Sequence, residues 1–566
     1  MEESSDRRRL TRLALQEAIR SVRAAAASLA PWRQVRAPAP QRLLFAPQDL
    51  RTADPTVAAD IYAGYFVFAG RALATGGRSP FDFATPSDAW GEAFYGFGWL
   101  RHLKAADTAL ARANARALVA EFIGRRRGDR RAARRTPVLA RRIISFLSQS
   151  PLILENADPA FYDRFLRMLA RGVQDLEGDL RGHVPPPAAR LLAVTALAYA
   201  GLCCEGYDAL LERATKRLAS ELDRQFFSDG GHASRNPRLM VDLLLDLLPL
   251  RQIYASRGVE PPPALVRAID GLFAMLRLFR HGDGTLAHFN GMGVTRVSHL
   301  STLLIYDDAR NRPMPRAPHS GYERLEAGGT LVTADVGAPP PVRQSAEAHA
   351  GCLSFELSSG AQRIVVNCGT PAANGATLKA ARSTAAHSTA TVAETSSCRF
   401  LTRGGKGVEP WLAAWLSRRL GAVVIDGPGA VPVERDEMRL SASHDGYRKI
   451  FGLTHRRAWR LDPSGDRLEG EDDFVRDAAS AGVDDVTIRF HLDPGVTAGP
   501  VEGGSLVLML PDGEAWRFDA SPVEARLEES VFFACSDGAR RTAQIVLAVR
   551  VSETPSVRWR FERVRS

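Results

Sequence analysis

One short segment between two predicted helices groups side chains that suit acid–base chemistry. Residues 227–237 contain His232, Arg235 and Asn236, directly after two consecutive glycines. The glycines permit a tight turn, and loops between helices often carry functional groups. An imidazole has an unperturbed pKa near ~6.5, so His232 could act as base or acid, while Arg235 or Asn236 could neutralise a carboxylate. The alternative is a helix-capping loop, in which Ser234 or Asn236 accepts hydrogen bonds from free backbone amides.

Helices must position this loop. From about residue 55 to 310 the sequence shows successive amphipathic patterns, such as 208–226, 237–256 and 264–279, separated by Pro, Gly and Asp. Each helix has one apolar stripe to bury, which favours an (α/α) toroid or an α-solenoid. Because no fixed-period repeat is present, we predict a toroid domain at 55–315, after an N-terminal basic helix and linker at 1–54.

The sequence pattern changes near residue 320. Short alternating or β-branched runs follow, such as 329–336, 353–357 and 544–551, with turns of Gly, Pro, Asp and Ser between them. No long helical pattern separates these runs, which favours an antiparallel β-sandwich over an α/β domain. The predicted fold class is therefore multidomain α and β, with an N-terminal (α/α) toroid, or incomplete α/α barrel, and a C-terminal sandwich at 316–566.

The composition narrows the class of partner. The 566 residues exceed one ordinary core, and 45% hydrophobic and 24% charged residues are typical of soluble globular proteins. A net charge of +10 favours a polyanionic partner such as an acidic polysaccharide, although an arginine-rich composition alone gives the same charge. Because no zinc-knuckle, helix-turn-helix or aromatic-interleaved basic pattern accompanies the charge, nucleic acid is not an expected partner.

The cysteines and the first residues predict the compartment. Six cysteines without a CxxC pair indicate reduced thiols. Arg12, Glu17 and Arg20 interrupt the apolar residues of the opening helix, unlike the uncharged core of a secretory signal. No uncharged apolar run reaches the roughly 18 residues of a transmembrane segment. We therefore expect a cytoplasmic protein, with the periplasm as the alternative. The basic opening helix also allows peripheral membrane contact.

Four segments resemble motifs of heparinase II/III family proteins. Residues 229–237, DGGHASRNP, resemble the family's DGGH…SP loop, and residues 281–291, HGDGTLAHFNG, resemble its DG…FN loop. The run 348–357, AHAGCLSFEL, is similar to HAHAD…SFEL, and VNCGT at 366–370 stands in place of D-x-G-T. The run 382–389, RSTAAHST, is similar to RSTAAHNT. The order of these motifs is more specific than any one of them.

The resemblance implies a carbon–oxygen lyase that cleaves a uronate-containing glycan by β-elimination in a cleft between toroid and sandwich. The reaction needs a group that neutralises the uronate carboxylate, a base that removes the C5 proton and an acid that protonates the leaving oxygen. Asn236 or Arg235 would neutralise, and His232 would be base or acid. His288 stands in the region where the family's catalytic tyrosine is expected and is a further catalytic candidate.

The candidate substrate-binding residues come from two regions. Tyr95 and Trp99 lie in an aromatic helix that resembles the family's early toroid helix and could stack on sugar rings, although such a stripe is more often core. Asn290 and Arg382 lie in the matched motifs and are the other two candidates.

Several positions depart from the family pattern. Glu347 stands where the family has its catalytic histidine, and its carboxylate could serve as base instead. Metal-binding members hold zinc with two histidines and an aspartate, and the matching residues here are His349, His387 and Asn367. A neutral amide is a poor zinc ligand. No cofactor is therefore predicted, and zinc is kept only as a weakly supported candidate.

Three interpretations of this altered site stay open. Glu347 replaces histidine as base, or the residue set suits a different glycan. Alternatively, the protein has lost lyase chemistry and is a non-catalytic glycan-binding or exopolysaccharide/envelope-biosynthesis accessory protein of the same fold.

Overall fold

The computed structural model describes residues 2–28, 38–125, 132–182, 185–307, 312–372, 375–401, 410–477, 483–501 and 503–564. Within these ranges helices come first and two large sheets follow. No helix in the described part of the chain is long and apolar enough to cross a membrane.

The helical region packs most of its helices around a large apolar core. Its helices are α1 Glu2–Ser28, α2 Thr56–Tyr62, α3 Asp88–Tyr95, α4 Leu100–Ala106, α5 Ala109–Gly124, α6 Thr136–Ser148, α7 Ser150–Leu154, α8 Pro159–Gly182, α9 Pro187–Cys203, α10 Asp208–Gln225, α11 Pro237–Ser256, α12 Pro263–Phe279 and α13 Val297–Leu304. A hairpin of β1 Tyr65–Phe68 and β2 Arg71–Ala74 lies between α2 and α3.

The helix starts follow from local sequence. Helix α11 begins where Asn236 accepts a hydrogen bond from the Arg238 backbone N–H and Pro237 takes the first helical position. Helix α10 buries Leu211, Leu218 and Leu222, which share one face at helical spacing. Burial of such stripes against neighbouring helices holds the helical domain together.

The sandwich contains two antiparallel sheets. Its strands are β3 Arg316–Ala317, β4 Tyr322–Ala327, β5 Thr330–Asp335, β6 Phe355–Ser359, β7 Gln362–Val366, β8 Ala390–Val392, β9 Arg399–Phe400, β10 Val424–Asp426, β11 Val433–Asp436, β12 Arg439–His444, β13 Leu453–Leu461, β14 Arg467–Arg476, β15 Asp485–Leu492, β16 Thr497–Pro500, β17 Leu506–Met509, β18 Ala515–Ser521, β19 Ala525–Phe532, β20 Arg540–Arg550 and β21 Ser556–Arg563. Three helices, α14 Ala376–Ala381, α15 Pro410–Leu420 and α16 Arg448–Phe451, interrupt them.

The strand order within the described residues defines the two layers. One sheet runs β11-β12-β13-β14-β21-β18-β17-β16, and the other runs β19-β20-β15-β7-β6-β5-β4-β3, with β8 beside β15. Strands β9 and β10 form a small separate pair. Apolar side chains of both large sheets fill the space between them. Strands β4, β5 and β6 belong to the second of these sheets and face the loops of the helical domain.

Helix α1 packs against both domains. Its Leu10 lies in one apolar cluster with Leu401, Leu416 and Val423 of the sandwich region, and α1 also contacts α8. Glu17 of α1 forms an ion pair with Arg343. The opening helix is thus part of the folded body.

Candidate functional site

Three loops meet between the helical domain and the sandwich. They are the α10–α11 loop at 226–236, the α12–α13 loop at 280–296 and the segment 336–354 that precedes β6. Beside them lies a cleft of about 540 Å³, whose lining includes His232, Arg238, Arg296, Arg343 and Glu347. The α10–α11 loop, which carries His232 and Asn236, contacts the segment before β6 through Asn236 and Glu347.

Glu347 is held by two residues of the helical domain. The Asn236 amide Nδ2 donates to Glu347 Oε2 at 2.7 Å, and Arg238 Nη2 donates to Oε1 at 2.5 Å. Asn236 is buried, whereas the Glu347 side chain is 52% exposed. Asn236 also caps α11, as the capping interpretation predicted. The amide expected to neutralise a substrate carboxylate therefore binds a carboxylate of its own chain.

Gly291 makes this contact sterically feasible. Its φ is +90°, and a Cβ there would lie 2.8 Å from Asn236 Nδ2 and 2.8 Å from the Glu347 carbonyl oxygen. Glycine adopts this backbone conformation without steric cost and leaves room for both neighbours.

Arg235 cannot neutralise a substrate, which corrects its predicted catalytic role. It is 5% exposed and adopts φ +57°. Each of its five N–H donors is already used, because a guanidinium offers five in all. The acceptors are the backbone oxygens of Ser320, Gly321, Gly337 and Ala338 and the Asp335 carboxylate. Arg235 is therefore a link between the domains.

His232 is also fully engaged, contrary to the predicted catalytic role. Its Nδ1 accepts the Ser234 backbone N–H at 3.1 Å, so neutral His232 carries its proton on Nε2 and donates it to Gln225 Oε1 at 3.2 Å. Burial lowers the pKa of His232 to about 4. A neutral imidazole with both nitrogens bonded inside the helical domain orders the loop and has no free atom for a substrate proton.

Asn290 occupies a buried bridging position and is not exposed to a ligand, which corrects its substrate-binding prediction. Its Nδ2 donates to the Tyr322 hydroxyl at 2.8 Å and to Asp335 Oδ2 at 3.0 Å. Its Oδ1 accepts the His349 backbone N–H. Asn290 thus connects the α12–α13 loop to β4, β5 and the segment before β6.

His288 belongs to a second buried polar cluster between the domains, centred on Glu356 of β6. His281 Nε2 lies 2.9 Å from one carboxylate oxygen, and His288 Nδ1 lies 3.2 Å from the other. Asn367 donates its backbone N–H and its amide to Glu356 as well. Burial alone would raise the pKa of Glu356, but the charge interactions and hydrogen bonds with His288 and His281 hold it far below its usual range. His288 therefore holds the interface, which corrects its predicted catalytic role.

His349 and His387 form a directional chain of hydrogen bonds. The Ser383 carbonyl can only accept, so His387 Nδ1 carries a proton and His387 Nε2 accepts from His349 Nδ1 at 3.1 Å. His349 Nε2 is then an acceptor for the Thr370 hydroxyl at 3.2 Å. Burial lowers the pKa of His387 to about 4 and that of His349 well below its usual value, so both rings are neutral.

The zinc candidates do not fit a metal site. His349 and His387 direct ring nitrogens at each other rather than at a shared point, and Asn367 Oδ1 accepts the Ser388 backbone N–H at 3.0 Å. Across the ranges that the structure describes, no three His, Cys, Asp or Glu side chains are grouped to hold a metal ion. We assign no step to zinc.

The remaining substrate-binding candidates are buried, which corrects their predicted role. Tyr95 and Trp99 are each 2% exposed in an aromatic core around Phe94. Arg382 donates to the Ala348 and Ser345 carbonyl oxygens and lies over the Phe400 ring. A side chain without exposed surface cannot stack on a sugar or bind a carboxylate.

Sequence reasoning missed Arg238, Asp335 and Glu356. Asp335 and Glu356 are the single charged residues of β5 and β6, which are buried along their whole length, and a buried carboxylate requires a partner. That signal was available in the sequence. Arg238 stands on the first turn of α11, where nothing local distinguishes it from a solvated arginine.

The helical toroid followed by a two-sheet sandwich is the fold of solved heparinase structures. A mutant heparan sulfate lyase from Pedobacter heparinus aligns over 97% of this chain and 88% of its own, with TM-score 0.63 and 12% identity. A heparinase III structure aligns over 95% and 89%, with TM-score 0.68 and 11% identity. At such identities the likeness establishes the fold, and it confirms the predicted fold class.

Sequence comparison gives the family. Residues 309–560 match the family model described as "Heparinase II/III-like, C-terminal". FtsZ-localized protein C from Caulobacter vibrioides (strain NA1000 / CB15N) is 33% identical over 546 residues, which covers 93% of this chain and 91% of the relative. The chain belongs to the heparinase II/III-like family, as the motifs predicted.

Proposed function

We propose that the protein is a non-catalytic accessory protein that keeps the lyase fold and localises with FtsZ. The main support for a loss of catalysis comes from Arg235 and His232. All side-chain nitrogens of these two residues form hydrogen bonds within the chain. Localisation with FtsZ is carried over from the name of the Caulobacter relative, which this chain matches over almost its whole length.

The chemistry of β-elimination supports this proposal. A lyase needs a group that neutralises the carboxylate, a base and an acid that all reach the same sugar. Arg235 is bonded to the sandwich, Asn236 is bonded to Glu347, and His232 is neutral and enclosed. Restoring the reaction would require breaking several of these contacts at once.

We also propose the cytoplasm as the compartment. All six cysteines lie in the described part of the chain, and all are free thiols. Burial raises the pKa of Cys204 and Cys368 to about 12, which keeps these thiols protonated and unreactive. Unpaired cysteines in this number suit a reducing compartment.

Two measurements test the proposal. Purified protein is incubated with heparan sulfate, alginate, hyaluronan and bacterial exopolysaccharide, and the ultraviolet absorbance of a 4,5-unsaturated uronate is followed. We expect no rise, and a rise would contradict the loss of catalysis. A fluorescent fusion imaged with labelled FtsZ in the host tests the second part, since a diffuse signal in dividing cells would contradict localisation with FtsZ.

The second candidate function is a lyase that uses Glu347 as base. The half-exposed Glu347 carboxylate beside the cleft favours it. This candidate predicts a rise in absorbance that Glu347→Gln abolishes. A hydrolase would instead release reducing ends without that absorbance.

A further inference from the structure

We propose that Asn236 and Arg238 form a binding site for a single carboxylate group, and that Glu347 fills this site from within the chain. An external carboxylate ligand binds there only when the Glu347 side chain turns out. The inference concerns the cleft alone and is independent of localisation with FtsZ.

The two donors are arranged as a carboxylate site requires. Each oxygen of the Glu347 carboxylate receives one hydrogen bond, from an amide on one side and a guanidinium on the other. Hydrogen bonds to an ionised carboxylate are stronger than neutral ones, and two of them fix its orientation. Both donors come from the start of α11, so a single element presents them together.

The Asn236 donor keeps its direction without Glu347. Its Oδ1 accepts the Arg238 backbone N–H at 2.9 Å, which turns the NH₂ end of the amide toward the cleft. Gly291 packs directly against that NH₂ group. Because the amide is buried and already oriented, little conformational entropy would be lost in ordering this donor when a ligand binds.

Glu347 is the part of this arrangement that can move. Among the residues that the structure describes, Asn236 and Arg238 are the hydrogen-bond partners of its carboxylate, and half of its side chain is exposed. The Arg238–Glu347 ion pair is exposed and contributes little to stability, so the main cost of turning Glu347 into solvent is the lost hydrogen bond from Asn236. The adjacent cleft of about 540 Å³ has room for a ligand at the vacated position.

The rest of the cleft suits an anionic ligand once Glu347 has left. Arg296 and Arg343 also line it, and Asp242 is the other carboxylate there. While ionised Glu347 stays in place, a ligand carboxylate at the same donors would meet a like charge, which is unfavourable. Glu347 therefore determines whether the cleft accepts or rejects a carboxylate.

Acetate titration of the full chain tests the proposal, with acetamide as the neutral probe of the same shape. A ligand that binds the folded state but not the unfolded state raises the melting temperature, and the rise grows with the ratio of ligand concentration to Kd. We expect acetate to stabilise Glu347→Ala with a Kd about tenfold or more below that of the original chain. We expect acetamide to have no comparable effect. In the double variant Asn236→Ala/Glu347→Ala, we expect the stabilisation by acetate to disappear.

Glu529→Ala is the matched control. Glu529 also pairs with an arginine, Arg541, but both side chains are exposed, at 81% and 83%. Equal acetate responses in Glu347→Ala, Glu529→Ala and the original chain would overturn the proposal, and so would no response in any of them. A crystal of Glu347→Ala soaked in acetate gives an independent readout, with acetate oxygens expected at Asn236 Nδ2 and Arg238. A vacant or water-filled position there would contradict the inference.

Discussion

Arg235 in the helical domain and Asp335 in the sandwich form a buried ion pair that joins the two domains. Asp335 also accepts from Asn290 and from the Gly337 backbone N–H, so neither of its oxygens is left unbonded. Desolvation is the largest influence on Asp335 and raises its pKa, while Arg235 opposes that shift. The pair is stable because each charge is compensated inside the protein.

Arg235→Met should therefore destabilise the protein strongly. It leaves Asp335 buried without its cation and removes the Arg235 donors from the Ser320, Gly337 and Ala338 carbonyl oxygens. Breaking a buried pair costs about 3–5 kcal/mol. Thermal and urea unfolding measure the loss. The control is Lys216→Met, since Lys216 pairs with Glu212 at side-chain exposures of 75% and 70% and such a pair contributes about 0.3–0.5 kcal/mol. Equal losses in the two variants would contradict the structural role of Arg235.

His232 should make stability depend on pH. Its folded-state pKa of about 4 lies below the unfolded value near ~6.5, so the unfolded chain binds a proton first as pH falls. Its contribution is complete above pH ~6.5 and is lost toward pH ~4, amounting to about 3 kcal/mol. Unfolding of His232→Gln across this range should show a shallower decline. The exposed His319→Gln serves as control, and an unchanged slope in His232→Gln would refute the assignment.

Asn367→Asp should destabilise the protein even though it restores the carboxylate of the zinc-binding motif. The Asn367 amide donates to buried Glu356 at 3.3 Å, and an aspartate would place a second carboxylate against the first. We expect a loss of about 1–3 kcal/mol from the missing donor alone, measured by thermal unfolding with and without zinc. Asn156→Asp, at an exposed position, is the comparison. A more stable Asn367→Asp protein in zinc would show that a metal site can form.

Comparing Gly291→Ala with Gly513→Ala should separate the cost of a steric clash from the cost of backbone strain. At φ +90° any side chain is strained, and here the added Cβ also meets Asn236 and Glu347. Gly513→Ala has φ +91° with nothing within 4 Å, so it carries the strain without the clash. We expect Gly291→Ala to lower the melting temperature more than Gly513→Ala, which costs about 1–3 kcal/mol. A similar fall in melting temperature in both variants would mean that the three loops adjust to the added methyl group without further cost.

The sequence was sufficient for the architecture because periodicity and motif order are local signals. The helical patterns before residue 310 and the alternating runs after 320 each report their own element. The site was harder to predict. The contact between Asn236 and Glu347 joins loops 111 residues apart. No local pattern indicates that the Glu347 carboxylate accepts from the amide that was predicted to bind a substrate carboxylate. Likewise, the motif gives Arg235 its position but not the five acceptors that immobilise it.

One predicted element was wrong in detail for a local reason. Tyr95 and Trp99 were predicted to lie in one aromatic helix, but α3 ends at Tyr95 and α4 begins at Leu100. Phe97 adopts φ +56° between two glycines, which breaks the helix and turns its ring toward Phe146. Tyr95 and Trp99 therefore enter the core together with Phe97 instead of lining a cleft.

Helix α1 emerges from the ribosome before the other described elements, whereas α15, which shares its apolar cluster, is translated much later. Until α15 is made, Leu10 lacks part of its final cover, and nascent chains generally fold domain by domain in the order of synthesis. Helix α1 must therefore complete its packing late. Chains that end before α15 would carry that uncovered apolar surface and would be prone to aggregate.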